Sequence, residues 1–175
     1  YRSGDTTYSD DSNVISATTS TCPTVTDIGC GASGLIIAIN DANASAADDI
    51  INLYPDCTYT FYNYDNTSLS TGDNGLPIIL DSATSGTLTI NGSSNNVIER
   101  DGASNDFRFF YIDAGGDLTL NDMTITGGLV DANNWPYGYG GAVFNKGTLT
   151  VDNVIFDNNN APKNHGGAIF NFSGL

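Results

Sequence analysis

The chain has 175 residues, with 20 acidic residues against 5 Lys and Arg and a formal net charge of −15. So acidic a chain argues against binding to nucleic acid or to anionic membranes, because both need a positive protein face. Its length suits one domain with a sizeable core. Asp, Asn and Gly are abundant. These are turn residues and poor helix formers, so the composition predicts an all-β protein with many turns.

Residues 1–28 are polar and contain few apolar side chains. Such a segment cannot build a core of its own, so we predict an extended N-terminal arm or linker. The chain begins at Tyr1 rather than Met, as it would after removal of a signal peptide or after trimming. No hydrophobic run approaches the length of a membrane span, and we expect no membrane insertion. The side chains that such an arm offers to a partner are Tyr1, Tyr8, Val14 and Ile15.

Residues 29–62 predict an N-terminal cap made of one helix and two strands. A helix is expected over about 34–46, because apolar side chains from Leu35 to Ala42 recur at helical spacing and Ser33 is a suitable N-cap. Two strand-like runs, 50–54 and 58–62, follow around a Pro-Asp turn. One helix followed only by strands is typical of the cap of a repeat protein.

Residues 63–175 consist of short strand-like runs, and two stretches within them share one pattern. Leu118–Gly128 and Leu149–Asn159 have apolar residues at matching positions, 31 residues apart. Alternation by two with one extra residue in the middle indicates a strand, a bend and a second strand. Recurrence at this interval is typical of a solenoid, so we predict an all-β, right-handed parallel β-helix with a short N-terminal capping α-helix.

A second repeated element supports the same interpretation. GGAVFN (140–145) and GGAIFN (166–171) lie 26 residues apart. Their Ala and Phe residues, Ala142 with Phe144 and Ala168 with Phe170, are predicted to point inward. Asn145 and Asn171 are expected to stack, with their side-chain amides hydrogen-bonded to each other. Between these elements, Trp135, Tyr137 and Tyr139 form an aromatic insertion that we predict to be a projecting loop, whose rings either stack on sugars or cover the end of a coil.

Three cysteines, Cys22, Cys30 and Cys57, lie in the first third of the chain. In an exported protein two of them would pair and one would remain. A zinc site is the alternative, but the spacing contains no CxxC and the single His165 is distant in sequence.

The segment from Gly75 to Gly128, followed by GGAVFNKGTLTV and GGAIFN, resembles the parallel β-helix repeats of bacterial surface proteins of the polymorphic outer-membrane-protein type. Residues 30–62 also resemble the N-terminal cap of those proteins, in which one cysteine precedes the helix and a second precedes a TYT strand. This resemblance implies a disulfide between Cys30 and Cys57. It also implies a secreted or surface-exposed protein, since members of the family are mostly adhesin-like or structural.

Catalysis is the weaker alternative. A polysaccharide lyase needs clustered carboxylates around Ca²⁺ and a basic residue. Stacking would place Asp122 near Asp152, but Arg100 and Arg108 are more simply interpreted as surface partners of nearby Asp. Hydrolysis needs two acids on one face, whereas the Asp residues here fall mostly at bends. We therefore predict that the chain is not an enzyme and has no cofactor, with a polysaccharide lyase or hydrolase as the alternative. No metal site is assigned, and incidental Ca²⁺ binding remains compatible with the charge.

The function expected from these patterns is that of an exported structural protein at the cell surface. The sequence reaches Leu175 without a second capping helix, so either the natural protein continues or another molecule covers the last turn. Covering by the N-terminal arm of another copy would be a heterologous contact and would generate a filament. The alternative is a glycan-binding adhesin that uses the Trp135 loop. Four N-x-S/T sequons are glycosylation candidates: Asn43, Asn66, Asn91 and Asn171.

Overall fold

The computed structural model describes residues 22–172, which form twelve strands and two helices. In chain order they are β1 (Thr24–Ile28), α1 (Ala32–Asn43), β2 (Asp49–Leu53), β3 (Thr58–Phe61), β4 (Asn66–Ser68), β5 (Gly72–Asn74), α2 (Ser82–Ser85), β6 (Leu88–Asn91), β7 (Val97–Arg100), β8 (Phe110–Ile112), β9 (Asp117–Thr126), β10 (Val143–Asn145), β11 (Thr148–Asp157) and β12 (Ile169–Asn171).

The strands form three sheets. The main sheet has seven parallel strands in the order β1-β2-β6-β9-β7-β3, with β11 pairing with β9 beside this path. It curves into a half-barrel. A second parallel sheet has the order β12-β10-β8, and β4 with β5 forms an antiparallel hairpin.

The predicted fold class, a right-handed parallel β-helix, is therefore wrong. A solenoid would distribute successive strands over separate stacked faces, whereas here two rows of strands belong to one sheet. The reason lies in β9, which is ten residues long and bends at Asp122, where φ is +55°. Its first half pairs with β6 and its second half with β7, so one continuous strand joins both rows into the half-barrel.

The two repeated stretches pair with each other as the sequence pattern predicts. β9 and β11 are parallel, with Leu118 opposite Leu149 and Ile125 opposite Phe156. Asn153 repeats the bend at φ +52°. The side chains of Asp and Asn tolerate this left-handed conformation better than most residues, which explains their presence at both bends.

The N-terminal cap contains the expected helix, although its start differs. Helix α1 begins at Ala32 and its N-cap is Gly31, so the prediction that Ser33 is the N-cap is wrong. Its buried face, which packs against β1 and β3, consists of Leu35, Ala38, Ile39 and Ala42. The last residues of the predicted arm, Thr24–Ile28, are strand β1 and pair with β2 of the same chain.

A disulfide joins Cys30, just before α1, to Cys57, just before β3, with Cα atoms 5.3 Å apart. The pairing implied by the resemblance is therefore confirmed. The bond closes a loop with a sequence separation of 27. On loop-entropy grounds it stabilises the folded chain by about 3.5 kcal/mol. It ties the start of α1 to the start of β3 in the main sheet.

The core lies between the main sheet and the β8-β10 segments. It includes Leu118, Leu120 and Ile125 from β9 and Phe109, Phe110 and Val143 from the opposite side. Phe144 does not point into this core, contrary to the prediction. It packs instead on Tyr111, with parallel rings 5.0 Å apart, in a separate aromatic layer. Val143 belongs to the core, whereas Phe144, which is also completely buried, lies in the aromatic layer.

Candidate functional site

The first candidate site is the edge of the main sheet formed by β11. Within residues 22–172, β11 pairs on one side only, with β9. Its aliphatic side chains are poorly covered: Val151 is 44% exposed and Ile155 is 60% exposed. Leu149, Val154 and Phe156 are half-buried. An edge with unpaired backbone groups and exposed aliphatic side chains is a template for an additional strand.

A row of amide side chains runs across the main sheet towards this edge. The Nδ2 atoms donate in one direction: Asn121 to Asn91 at 2.9 Å, Asn91 to Asn52 at 3.0 Å, and Asn52 to the carboxylate of Asp27 at 2.8 Å. On β11, Asp152 lies in register with Asn121. We call this row, from Asp27 to Asp152, the amide ladder. It begins and ends with a carboxylate.

The bend beside the ladder contains a separate pair. Asn153 donates to Asp122 Oδ1 at 2.7 Å. Stacking of the repeats predicted Asp122 near Asp152, but the register places Asp152 opposite Asn121. The predicted stacking of Asn145 over Asn171 is confirmed, since Asn145 Nδ2 donates to Asn171 Oδ1 at 2.8 Å.

The second candidate site is the Trp135 loop. The indole of Trp135 is 47% exposed. It packs on aromatic rings of the outer layer, with centroids 5.1 Å from Phe144 and 4.9 Å from Phe172. Tyr139 packs on Trp135 at 5.1 Å and on Phe170 at 4.8 Å. The loop therefore covers the aromatic layer rather than projecting freely, while about half of Trp135 stays exposed to solvent.

Tyr137 points to the other side of this loop. Its hydroxyl donates to the backbone carbonyl of Ser68 at 2.9 Å, so the loop is tied to the turn of the β4-β5 hairpin. The ring also lines a cavity of about 160 Å³. The remaining lining residues are Asp73, Asp106, Val130, Asp131 and Ala132. Lys163 Nζ lies 3.1 Å from Asp131 Oδ1 and neutralises part of the negative charge that lines this cavity.

Arg108 holds the loop from below, and sequence reasoning missed this role. It is completely buried rather than a surface partner of Asp. Its Nη2 donates to the carbonyls of Pro136 at 3.1 Å and Tyr137 at 2.9 Å, and its guanidinium lies 5.2 Å from the Phe144 ring centroid. Burial lowers the pKa of Arg108 to about 10. The available signal was an arginine inside the otherwise apolar run FRFFYI.

Arg100 also forms no ion pair with any residue between 22 and 172. It donates to backbone carbonyls, including that of Gly127 at 2.7 Å. The two ion pairs between described residues are Lys146 with Asp113 and Lys163 with Asp131. The four basic side chains between residues 22 and 172 are thus engaged in local structural contacts.

The four sequons differ in the surroundings of their amides. Asn43 donates to the Ile78 carbonyl at 2.8 Å and Asn66 to the Leu76 carbonyl at 2.8 Å, while Asn91 belongs to the amide ladder. Asn171 is exposed and uses its Oδ1 atom as an acceptor. A glycan replaces one hydrogen of Nδ2. Asn171 is the sequon asparagine whose Nδ2 atom is least engaged in hydrogen bonds. Glycosylation stays a prediction.

Other expected site residues are not brought together. Cys22 is a free, exposed cysteine. The arm residues Tyr1, Tyr8, Val14 and Ile15 lie outside the described residues. In residues 22–172, no three His, Cys, Asp or Glu side chains are grouped so that they could hold a metal ion. Neither α1 nor α2 has the length and hydropathy that a membrane-spanning helix requires.

The disulfide is consistent with an extracellular or otherwise oxidising compartment. The resemblance to polymorphic outer-membrane-protein repeats stays a prediction. No family model matches this chain, and neither a curated protein nor a solved structure matches it.

Proposed function

We propose that this chain is an exported structural protein of the cell surface whose copies assemble head to tail into an extracellular filament. The observation that carries the proposal is the β11 edge. Ten residues of parallel strand there offer backbone donors and acceptors next to exposed Val151 and Ile155. A strand from the N-terminal part of a second copy would satisfy the backbone groups and cover the aliphatic side chains.

The geometry favours a filament over a closed oligomer. In the row of paired strands β1-β2-β6-β9-β11, β1 lies at one end and β11 at the other. A contact between two different surfaces is heterologous, and repeated heterologous contacts form an open chain unless the rotation closes. The Cys30–Cys57 disulfide supports export, because such bonds persist in oxidising compartments. This role requires no catalytic residue and no cofactor.

A charge placed on the edge tests the proposal. Lysine at an exposed edge position opposes strand addition. Val151→Lys should therefore abolish assembly of the 175-residue chain and leave folding nearly unchanged, since Val151 is 44% exposed. Assembly is measured by sedimentation velocity and negative-stain electron microscopy from pH 4 to 8, and folding by thermal unfolding.

Leu69→Lys is the matched control. Leu69 is 93% exposed in the β4-β5 hairpin turn and receives the same change of charge. The control should assemble like the unmodified chain. A chain that stays monomeric throughout the pH range, or filaments that are indifferent to Val151→Lys, would contradict the proposal.

We propose glycan binding by the Trp135 loop as a second candidate function. The observation that favours it is the half-open indole, which Tyr139 and Arg108 hold in a fixed loop. An exposed, rigid aromatic face suits stacking against the apolar face of a sugar ring. A glycan array should show ligands that bind the chain and fail to bind Trp135→Ala. Leu69→Ala is the control for loss of an exposed apolar side chain.

A further inference from the structure

We infer that the β11 edge accepts the β1 edge of a second copy, in parallel and in register, and that Asp27 of one copy and Asp152 of the other make this contact acid-dependent. The inference rests on the proposed function and names its partner strand and its regulation.

Residues that pair from strand to strand across the main sheet form columns, and residues of β1 and β11 occupy the same columns. Pairing from β1 through β2, β6 and β9 to β11 places Thr24 at the head of the column that ends at Leu149. In the same way Thr26 heads the column of Val151, and Asp27 heads that of Asp152. Within residues 22–172, each of these two strands is paired on one side only. The free edges therefore match in direction and in register.

Adding β1 of a second copy beside β11 extends every column by one residue. Neighbouring strands lie about 4.8 Å apart, so Thr26 would cover Val151 and Asp27 would lie beside Asp152. Val25 on β1 is 58% exposed and lies in the column of Thr150, on the outer side of this contact. The contact is the same kind of parallel pairing that already joins β9 to β11.

The amide ladder determines how charge affects this contact. Each Asn donates towards β1, and the Asp27 carboxylate accepts the last of these bonds. An ionised Asp152 has no proton to donate, either to Asn121 or to Asp27 of the second copy. Two carboxylates at the spacing of adjacent strands repel each other, and one shared proton turns the repulsion into a hydrogen bond.

The surroundings provide no positive charge that would replace this proton. On the elements beside Asp152 the titratable groups are Asp117 and Asp122 of β9 and Asp157 of β11 itself. Beside Asp27, β2 and the residue before it carry Asp49 and Asp48, and α1 carries Asp41. The basic side chains of residues 22–172 are engaged elsewhere: Arg100, Arg108, Lys146 and Lys163.

The decisive variant is Asp152→Asn. An amide at position 152 donates a hydrogen bond without needing acid, so it continues the ladder into the second copy. The unmodified chain should assemble below roughly pH 5 and stay dispersed at pH 7, whereas Asp152→Asn should assemble at pH 7. The expected shift of the assembly midpoint is at least about one pH unit. Sedimentation velocity in EDTA measures it, so that no divalent cation bridges the carboxylates.

Two controls isolate the ladder from general effects. Asp157→Asn removes the same charge from the same strand, outside the ladder, and should shift the midpoint only slightly. A chain lacking residues 1–20 retains β1 and should assemble like the full chain. Loss of assembly on that deletion would identify the arm, not β1, as the added strand and would overturn the inference.

The remaining outcomes separate this inference from the proposed function. Filaments whose pH dependence is equal in Asp152→Asn and Asp157→Asn overturn the inference and leave the proposed function intact. Particles that stop at twice the monomer mass indicate two-fold pairing of β11 with itself, which overturns both. Failure of the unmodified chain and of every variant to assemble overturns the proposed function.

Discussion

Strands β9 and β11 have nearly the same apolar pattern, and yet they differ in burial. In β9 the side chains of Leu118, Leu120 and Ile125 are completely buried. Their partners in β11 are half-buried or exposed, and Val151, opposite Leu120, is 44% exposed. The backbone pairing of the two strands is continuous on both sides of the bend. The difference therefore arises from the neighbours of each strand, not from its own sequence.

The direction in which a side chain points and the depth to which it is buried are two separate properties, and the strand pattern alone does not distinguish them. Alternating apolar residues specify which face of a strand points to the core. The depth of burial also depends on a strand at either side. Strand β9 has neighbours on both sides, whereas β11 has one within residues 22–172. The β11 edge has the sequence of an internal strand, which is the reason that we assign it a partner.

The largest expected effect is a lysine at matched positions of the two strands. Leu120→Lys buries an unpaired ammonium group in the core and should destabilise the chain by about 5 kcal/mol or prevent folding. Val151→Lys occupies the same column at the edge and should cost less than about 0.5 kcal/mol. Chemical denaturation of monomeric protein at pH 7 measures both values. Equal losses would show that the edge is as enclosed as the interior.

A smaller effect is expected when a leucine is truncated in the column that joins Leu118 to Leu149. Leu118→Ala should cost about 3 kcal/mol, since the side chain is fully buried and leaves a cavity. Leu149→Ala should cost about 1 kcal/mol, because Leu149 is only half-buried. When the edge becomes covered in assembled material, the cost at Leu149 should rise towards that at Leu118. Thermal unfolding of monomer and of assembled material at the same pH measures the change.

The sequence predicted the strand register better than the architecture. The 31-residue repeat placed Leu118 opposite Leu149, because identical patterns stack with their apolar faces aligned. It did not predict that both rows join in one half-barrel, since that depends on β9 continuing through the bend at Asp122. The apolar run LPIIL (76–80) has the composition of a strand, but Pro77 lacks a backbone donor, and within this run only Ile79 forms a bridge.

The aromatic site was only partly visible in the sequence. The cluster from Trp135 to Tyr139 indicated a loop, whereas its packing partners lie on β10 and β12. Phe144 follows Ala142 and Val143, and a run of three apolar residues does not show which alternate face is inward. Arg108 flanks a turn in the sequence, which predicts a surface partner of nearby Asp, and buried arginine is rare. Its two carbonyl acceptors come from residues nearly thirty positions away, which no local pattern reveals.

The amide ladder permits the same comparison with neutral side chains. Asn91 donates to Asn52 and accepts from Asn121, whereas the Asn121 side chain bonds, within residues 22–172, to Asn91 alone. Asn91→Ala should therefore cost about 2 kcal/mol and Asn121→Ala about 1 kcal/mol. Urea denaturation of the monomer at pH 7 compares them. A larger loss at Asn121 would mean that the ladder already continues to Asp152.

The smallest expected effect on stability concerns Asp49, whose carboxylate lies in the same column as Leu88 and Leu118. Asp49 begins β2 in register with Leu88, and it is buried with Oδ2 lacking a hydrogen-bond partner. Desolvation raises the pKa of Asp49, against the opposing effect of hydrogen bonds from Thr24 and Ser45. The folded chain therefore binds this proton more tightly than the unfolded chain does. The resulting stability is present in full below the unfolded pKa and is lost as the pH rises through the folded pKa.

The pKa of neighbouring Asp48 is shifted in the opposite direction. Hydrogen bonds from the backbone and side chain of Thr87 lower the pKa of Asp48, so its contribution is lost on acidification. Asp48 contributes equally to the unmodified chain and to Asp49→Asn, so the difference between their free energies of unfolding reports on Asp49. Asp49→Asn should be the more stable at pH 7, and the advantage should shrink between about pH 6 and pH 3. Denaturation of the monomeric Val151→Lys background across that range measures it. A difference independent of pH would show that Asp49 is as well solvated in the folded chain as in the unfolded chain.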